Sequence, residues 1–295
     1  LAVAVFLVGS TICLSVNSFS APSCLNAHDC CMYCAVHRGK RMVGGSLVST
    51  HVPWQAMVFL SENILDGGFA GGALIAPRWV LTAGRNLFVR KSREHTRGET
   101  PRIPKVYLGI SRQAEAGPAT EVAVEKVFLH PGFQSNNTWD DDLALIQLKE
   151  PVIFSDTVFP IPLPERGEDL ADKEGQRGVI AGWGWGILLT PSETLKFISL
   201  AVASECEGEK TLCTEPSKYS ENVCFGDAGG ALAFLDPDTG RVYAGGILSN
   251  DKTCSTGKRA VYTKVSAYLP WIHSVMRGDF ERFSSLRTSI MNAML

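Results

Sequence analysis

The sequence predicts an all-β fold in which short antiparallel strands close into a barrel or a sandwich. Three observations favour this class: the apolar runs are short, turn residues separate them, and one helical pattern stands near the end. The 295 residues, 45% hydrophobic and 20% charged, suit a globular core of one large or two small domains. The net charge of −2 argues against nucleic acid or an anionic membrane as a partner.

The candidate strands are apolar runs that follow residue 42. They cover residues 69–81, 106–110, 122–129, 143–148, 178–181, 195–202, 231–235, 242–248 and 260–265. Turn-forming residues at 236–240 predict a hairpin between two of these strands. The proline-rich stretch 151–166 predicts an extended bridge between two lobes. Residues 268–276 predict a helix, in which Pro270 is tolerated because it lies in the first turn.

The first residues have the features of a secretory signal peptide. Residues 1–14 are almost continuously apolar, yet they are shorter than the about 20 residues that a membrane span needs. Small residues follow before Ala21 and fit a signal-peptidase site, so we expect a signal peptide over 1–20. A buried core segment is the alternative interpretation. Secretion would permit disulfide bonds.

The nine cysteines fit that compartment, since eight remain once Cys13 is removed with the signal peptide. Four lie in a short leader over residues 21–41 and four in the last third of the chain: Cys24, Cys30, Cys31, Cys34, Cys206, Cys213, Cys224 and Cys254. We predict disulfides. The Cys31–Cys34 spacing also suits a metal, but no second ligand pair with the right spacing follows. The pairing within the leader stays open.

Two further motifs concern processing and modification. The leader ends in an Arg-x-Lys-Arg pattern at 38–41, which predicts cleavage between Arg41 and Met42 by a furin-like convertase. A solvated basic loop is the alternative. Asn136 begins an Asn-x-Thr sequon and is a predicted glycosylation site. The histidines show no metal-ligand spacing and no phosphate loop or cofactor motif occurs, so neither a metal nor a cofactor is expected.

Six short motifs occur in a characteristic order. They are Gly-Gly at 44–45, Pro-Trp-Gln at 53–55, Leu-Thr-Ala at 81–83, Asp-Leu-Ala-Leu at 142–145, Gly-Trp-Gly at 182–184 and Gly-Asp-Ala-Gly-Gly at 226–230. By their order and spacing, the chain resembles the chymotrypsin-like serine proteases over residues 42–277. The resemblance implies a trypsin-like fold of two six-stranded antiparallel β-barrels with a C-terminal helix, and a functional cleft between the barrels. A tail without a motif follows at 278–295.

The resemblance also shows where the catalytic groups are replaced. Ala228 stands where the family has its serine nucleophile, and Arg85 stands where it has its histidine base. Asp142 keeps the place of the triad aspartate. Because a guanidinium has no acceptor lone pair and stays protonated, it cannot take up a proton from a nucleophile. We therefore predict that the protein is not an enzyme and that Arg85 forms a partly buried ion pair with Asp142.

Other roles follow only from the resemblance. It implies disulfides Cys224–Cys254 and Cys206–Cys213. It also implies that the Asp227 carboxylate binds the new N-terminal ammonium of Met42 after cleavage. The alternative is that backbone N–H groups bind this carboxylate.

Four segments of the sequence are similar to the haptoglobin family: residues 81–88, 124–131, 226–229 and 246–254. This resemblance implies a secreted, acute-phase plasma glycoprotein that captures free haemoglobin αβ dimers and limits haem-driven oxidation. Val124, Glu125 and Lys126 match a loop that this family uses for receptor contact, so a scavenger receptor is a second expected partner. Another pseudo-protease with a regulatory or defence binding role is the alternative, and a protease that uses unorthodox groups is a third hypothesis.

Overall fold

The computed structural model describes residues 6–8, 11–13, 46–47, 51–61, 68–88, 103–133, 140–165, 170–185, 191–216, 222–250 and 257–278. The strands are β1 Phe6–Val8, β2 Thr11–Cys13, β3 Ser46–Leu47, β4 Gln55–Phe59, β5 Phe69–Ala76, β6 Trp79–Thr82, β7 Lys105–Tyr107, β8 Glu121–Val122, β9 Val124–Leu129, β10 Ala144–Leu148, β11 Arg177–Gly182, β12 Lys196–Val202, β13 Thr211–Glu215, β14 Ala231–Leu235, β15 Val242–Asn250 and β16 Ala260–Lys264. The helices are α1 Gly84–Leu87 and α2 Leu269–Met276, with 3-10 turns at Gln113–Glu115, Leu170–Asp172 and Val265–Tyr268.

The first barrel is an antiparallel sheet in the order β8-β7-β4-β5-β6-β10-β9. Its two edge strands are consecutive in the chain, because only Ala123 separates β8 from β9. The sheet therefore nearly closes on itself, and residues 121–129 act as one interrupted strand. The interior is filled by fully buried aliphatic side chains such as Val58, Leu74 and Ile146.

The second barrel is closed. Its strands run in the order β11-β14-β15-β16-β13-β12, and β11 pairs directly with β12 along Arg177–Gly182. The short strand β3 adds to the outside of this ring by pairing with the start of β12. The core includes Leu232, Phe234 and Tyr262, all fully buried. Two barrel-like sheets with a C-terminal helix confirm the predicted fold class.

The bridge between the barrels is extended, as the proline-rich sequence predicts. Residues 151–165 contain no strand, and the backbone N–H of Ile161 donates to the Leu74 carbonyl in the first barrel at 2.9 Å. The Ala244 N–H of the second barrel donates to the Pro162 carbonyl, also at 2.9 Å. Helix α2 begins one residue later than predicted and packs Leu269, Ile272 and Val275 into a core shared with Ile161.

Several strand predictions need correction. The run predicted over 69–81 is a hairpin, in which Pro77 and Arg78 form the turn between β5 and β6. Proline has no backbone N–H to donate to a sheet, which explains why the strand ends there. Strands β4 and β13 were not predicted from the sequence, because β4 begins with Gln55 and β13 mixes polar with apolar residues.

The predicted signal peptide contains the β1–β2 hairpin, whose strands pair antiparallel from Phe6–Cys13 to Val8–Thr11. The pairing does not test the targeting prediction. Among the described residues, neither α1 nor α2 is long and apolar enough to cross a membrane.

Candidate functional site

Asp142 lies in the cleft between the barrels and is bound by residues of both. It lies two residues before the buried start of β10 and is 1% exposed. Its backbone carbonyl accepts a hydrogen bond from Thr263 Oγ1 at 3.0 Å. Because Thr263 belongs to β16, the second barrel holds a residue of the first in position.

The Asp142 carboxylate receives hydrogen bonds on both oxygens. Arg85 Nε donates to Oδ2 at 2.7 Å and the Arg85 backbone N–H donates to Oδ1 at 2.7 Å. Ser249 Oγ of β15 also donates to Oδ2 at 2.7 Å, and Arg85 Nη2 donates to Ser249 Oγ at 3.2 Å. The ion pair is buried, with 11% of the arginine and 1% of the aspartate side chain exposed. The structure thus contains the predicted ion pair, and Ser249 is a third member that sequence reasoning missed.

Helix α1 brings Ala228 next to this network. Asn86 Nδ2, one residue after Arg85, donates to the Ala228 carbonyl at 2.9 Å, and the Gly71 N–H donates to the same oxygen at 2.8 Å. Thr82 Oγ1 extends the network, since it donates to the Gly71 carbonyl at 2.8 Å. Ala228 is 2% exposed and its side chain is a methyl group, so position 228 offers no hydroxyl to attack a carbonyl.

Gly229 lets the segment approach the first barrel closely. Its φ of +90° lies in the region that favours glycine, and a Cβ there would come within 2.3 Å of the Gly71 carbonyl oxygen. The same Cβ would meet Thr82 Oγ1 at 2.3 Å. Packing between the barrels therefore requires a glycine at position 229.

Asp227 is a second buried carboxylate, 1% exposed. Oδ1 accepts the Gly184 N–H at 2.8 Å and Oδ2 accepts the Cys224 N–H at 3.0 Å. These bonds agree with the backbone-donor alternative. Met42, which the resemblance assigned as its partner, lies outside the described residues.

Asn222 is a polar side chain six residues before Ala228. Its Nδ2 donates to the Lys258 carbonyl at 2.7 Å, and its Oδ1 accepts the Val223 N–H at 2.9 Å. The residue is 1% exposed. Both ends of this amide are therefore bound to the protein's own backbone.

One of the two implied disulfides is described. Cys206 and Cys213 are joined by a disulfide bond. Cys224 is also disulfide-bonded, but Cys254 lies outside the described residues, so the Cys224–Cys254 pairing stays a prediction. The leader cysteines, Arg41 and Asn136 are outside them too. No group of three or more His, Cys, Asp or Glu side chains in the described part of the chain is arranged to hold a metal ion.

The expected receptor loop needs correction, because Val124, Glu125 and Lys126 form the start of strand β9. Lys126 pairs with Gln147 while Val124 pairs with Leu148, so Glu125 is the extra residue of a β-bulge. The Glu125 carboxylate accepts a hydrogen bond from Arg78 Nη2 at 2.5 Å. The charged side chains suggested a loop, but backbone pairing with β10 makes these residues part of a strand. Receptor contact itself stays a prediction.

The fold and this cleft define the class as a trypsin-like serine protease homologue, and the Trypsin family profile matches residues 42–272. The chain is 32% identical to haptoglobin of Mesocricetus auratus over 268 residues, which cover 82% of this chain and 72% of that protein. It is 32% identical to haptoglobin of Canis lupus familiaris over 83% of this chain and 76% of that protein. For Sus scrofa haptoglobin the identity is 33%, with coverages of 82% and 72%. The chain belongs to the trypsin family and, within it, to the haptoglobin-like serine protease homologues.

Proposed function

We propose that this protein is a secreted, non-catalytic binding protein that captures free haemoglobin αβ dimers and so limits haem-driven oxidative damage. The observation that carries the proposal is its similarity to haptoglobins over about four fifths of its length. The capture takes place through surface loops of the protease-like domain rather than through a covalent step. Capture of haemoglobin in blood plasma, before its haem reacts, is the physiological role that we assign.

The geometry of the cleft supports a role without catalysis. The Arg85 guanidinium is bound to Asp142 and Ser249, and it has no lone pair with which to accept a proton. Position 228 carries only a methyl group. Loss of the nucleophile or of the base alone costs about a million-fold in turnover, and the two act as one unit.

Secretion and modification are part of the same proposal. We assign residues 1–20 to a signal peptide, cleavage to the bond after Arg41, and an N-linked glycan to Asn136. Glu125 and Lys126 are exposed on β9, and we assign contact with a scavenger receptor to this part of the surface.

Gel filtration with haemoglobin tests the binding role. We expect the purified protein to co-elute with haemoglobin at micromolar concentration, while myoglobin, a monomeric haem protein of related fold, elutes alone. A folded protein that does not retain haemoglobin contradicts the proposal. That outcome would favour the regulatory or defence pseudo-protease, which is then tested by binding to proteases and microbial glycans.

Labelling by a fluorophosphonate tests the absence of catalysis, with trypsin as the positive control. We expect no labelling of the natural protein or of the Ala228→Ser variant, because Arg85 cannot activate the new hydroxyl. The double variant Arg85→His with Ala228→Ser restores both groups beside Asp142 and is the one in which labelling is expected. Labelling of the natural protein would revive the hypothesis of a protease with unorthodox groups.

A further inference from the structure

His130 directly follows β9 and lies where several segments of the chain meet. Its ring packs edge-on against Tyr268 and Trp271, with centroids 5.1 and 5.0 Å away. Its Nδ1 is 3.7 Å from Asp141 Oδ2, and its side chain is only 15% exposed. Asp141 and Lys210 are the charged groups of the described residues that act on the imidazole, while α2 contributes the uncharged Trp271. A largely buried titratable ring thus faces one carboxylate and one ammonium.

The imidazole acts as a hydrogen-bond acceptor in this structure. The Gly132 N–H donates to His130 Nδ1 at 3.1 Å, so Nδ1 presents its lone pair rather than a proton. The Phe133 N–H donates to the His130 carbonyl at 2.9 Å, and the two bonds together hold the turn from His130 to Phe133. Space at this turn is tight, because a Cβ on Gly132 would clash with Asp141 Oδ2 and lie 3.3 Å from His130 Nδ1.

Protonation changes what Nδ1 can bind. An imidazolium is a donor at both nitrogens, so it can no longer accept the Gly132 N–H. Asp141 Oδ2 is the nearby acceptor: it receives no hydrogen bond from the described residues, because Tyr268 and Lys210 both donate to Oδ1. A charge-assisted bond to a carboxylate is about 2.7–2.9 Å long, so Nδ1 and Oδ2 must approach by about 1 Å. Gly132 lies beside both atoms and has to move with this exchange.

We propose that His130 is an acid-sensitive switch, which holds the turn from His130 to Phe133 at neutral pH and releases it when the imidazole exchanges the Gly132 N–H for the Asp141 carboxylate. Burial lowers the pKa of His130 from its ordinary value of 6.5, while the charge of Asp141 opposes that shift and the charge of Lys210 adds to it. The exchange therefore takes place in acid. The switch does not depend on what the protein captures, so the two proposals can fail separately.

The released turn lies next to the cleft. The rings of Phe133 and Phe88 pack with centroids 5.7 Å apart. A Cβ on Gly84 would lie 3.0 Å from Phe133 Cδ2 and 3.3 Å from Asp142 Oδ1, so the turn and the cleft carboxylate both contact the first residue of α1. The next residue is Arg85, whose backbone N–H donates to Asp142. Displacement of the turn in acid therefore reaches the backbone of the Arg85–Asp142 pair.

Selective isotope labelling makes the switch directly observable by NMR. Pro131–Gly132 is the only Pro-Gly pair in the sequence, so ¹³C-carbonyl proline combined with ¹⁵N-glycine gives a single HNCO peak, from the Gly132 amide. Glycine labelled at the carbonyl combined with ¹⁵N-arginine gives two peaks, from Arg85 and Arg241, because only these arginines follow a glycine. Arg241 is exposed between β14 and β15 and serves as the internal control.

We expect the Gly132 peak to move upfield between pH 7 and pH 5, with a midpoint below 6.5, because its amide loses its acceptor. The Arg85 peak should move with the same midpoint, while the Arg241 peak stays in place. His130→Gln should abolish both titrations, because its side chain gains no proton. His273→Gln, on the exposed side of α2, is the matched control and should preserve them.

Asp141→Asn should lower the midpoint of the Gly132 titration, because the imidazolium loses its anionic partner. A Gly132 peak that stays in place between pH 7 and pH 5 overturns the proposal. The same conclusion follows if the peak titrates equally in His130→Gln, or if Asp141→Asn leaves its midpoint unchanged. An Arg85 peak that stays fixed while the Gly132 peak titrates overturns the connection to the cleft.

Discussion

Asp141 and Asp142 are neighbours in sequence, yet they connect the barrels in different ways. Asp142 is 1% exposed and pairs with Arg85 and Ser249 inside the cleft. The Asp141 side chain is 18% exposed and accepts hydrogen bonds from Tyr268 Oη at 2.6 Å and Lys210 Nζ at 3.2 Å. Its φ of 49° turns the chain between the two carboxylates, so that one faces the interior and the other the surface.

The difference shows what burial does to a charge pair. A buried ion pair is not a large net gain, but either partner alone is costly because its charge is desolvated without compensation. Asp141 forms a surface cluster with Tyr268, Lys210 and His130. Each charge interaction in this surface cluster contributes little to stability and is screened by salt. Both carboxylates still join the barrels, since Ser249 and Lys210 belong to the second barrel.

The largest expected effect is that of Arg85→Ala. It should lower the free energy of unfolding by about 3–5 kcal/mol, because Asp142 would be left charged and buried. Urea denaturation measures it. The double variant Arg85→Leu with Asp142→Leu should be much closer to the natural protein, since it removes both charges. An Arg85→Ala loss below about 1 kcal/mol would show that the cleft carboxylate is better hydrated than its burial indicates.

Asp141→Asn should cost less, about 1–2 kcal/mol, because it weakens the bonds from Tyr268 and Lys210 at a partly hydrated site. The exposed Asp140 provides the matched control as Asp140→Asn. Repeating both denaturation curves in high salt sharpens the contrast. The Asp141→Asn loss should shrink with added salt whereas the Arg85→Ala loss should not. Equal salt dependence would remove the distinction between the two carboxylates.

His130 makes the surface cluster sensitive to pH. Its Nδ1 accepts the Gly132 N–H at 3.1 Å, and its ring packs edge-on against Tyr268 and Trp271 with centroids 5.1 and 5.0 Å away. Burial lowers the pKa of His130, although the charge of Asp141 opposes that shift. Below the ordinary value of about 6.5, the unfolded chain therefore binds more protons, and stability falls with decreasing pH.

For one proton, the slope cannot exceed about 1.4 kcal/mol per pH unit. Stability measured between pH 7 and pH 5 should show this decline, and His130→Gln should reduce it. His273→Gln, on the exposed side of α2, is the control and should leave the decline in place. An unchanged slope in His130→Gln would assign the pH dependence to other groups.

The smallest expected effect is at Glu115, a half-buried carboxylate that contacts neither Asp141 nor Asp142. Hydrogen bonds from the Arg112 and Ser111 backbone N–H groups and from the Arg112 side chain lower its pKa to about 2. Its contribution is present above the ordinary pKa of about 4.5 and is lost as the pH falls towards 2. Glu115→Gln should therefore cost only about 0.5 kcal/mol at pH 7 and nothing at pH 2. If Glu115→Gln lowered the free energy of unfolding as much as Asp141→Asn does, the burial of Asp141 would not strengthen its hydrogen bonds.

Some strands could be predicted closely because their pattern is local. Strand β14 has the bounds that the sequence predicts, 231–235, because a short apolar run there ends at turn-forming residues. The sequence did not predict strands β4 and β13, because backbone pairing with a strand on each side, rather than a local apolar run, makes them strands. The same limit applies to the site. Ser249 is 107 residues from Asp142 and Tyr268 is 127 residues from Asp141, and no local pattern indicates either contact.

The sequence by itself determined which chemical groups are available: an arginine at 85, an aspartate at 142 and a methyl group at 228. Its short apolar runs also predicted an all-β fold, and the resemblance of its motifs to the chymotrypsin-like proteases implied the two barrels. Only the tertiary structure decided which carboxylate is buried and which polar side chains meet it. Closing each sheet brings distant strands into contact, and burial and hydrogen-bond partners are properties of that contact rather than of any one residue.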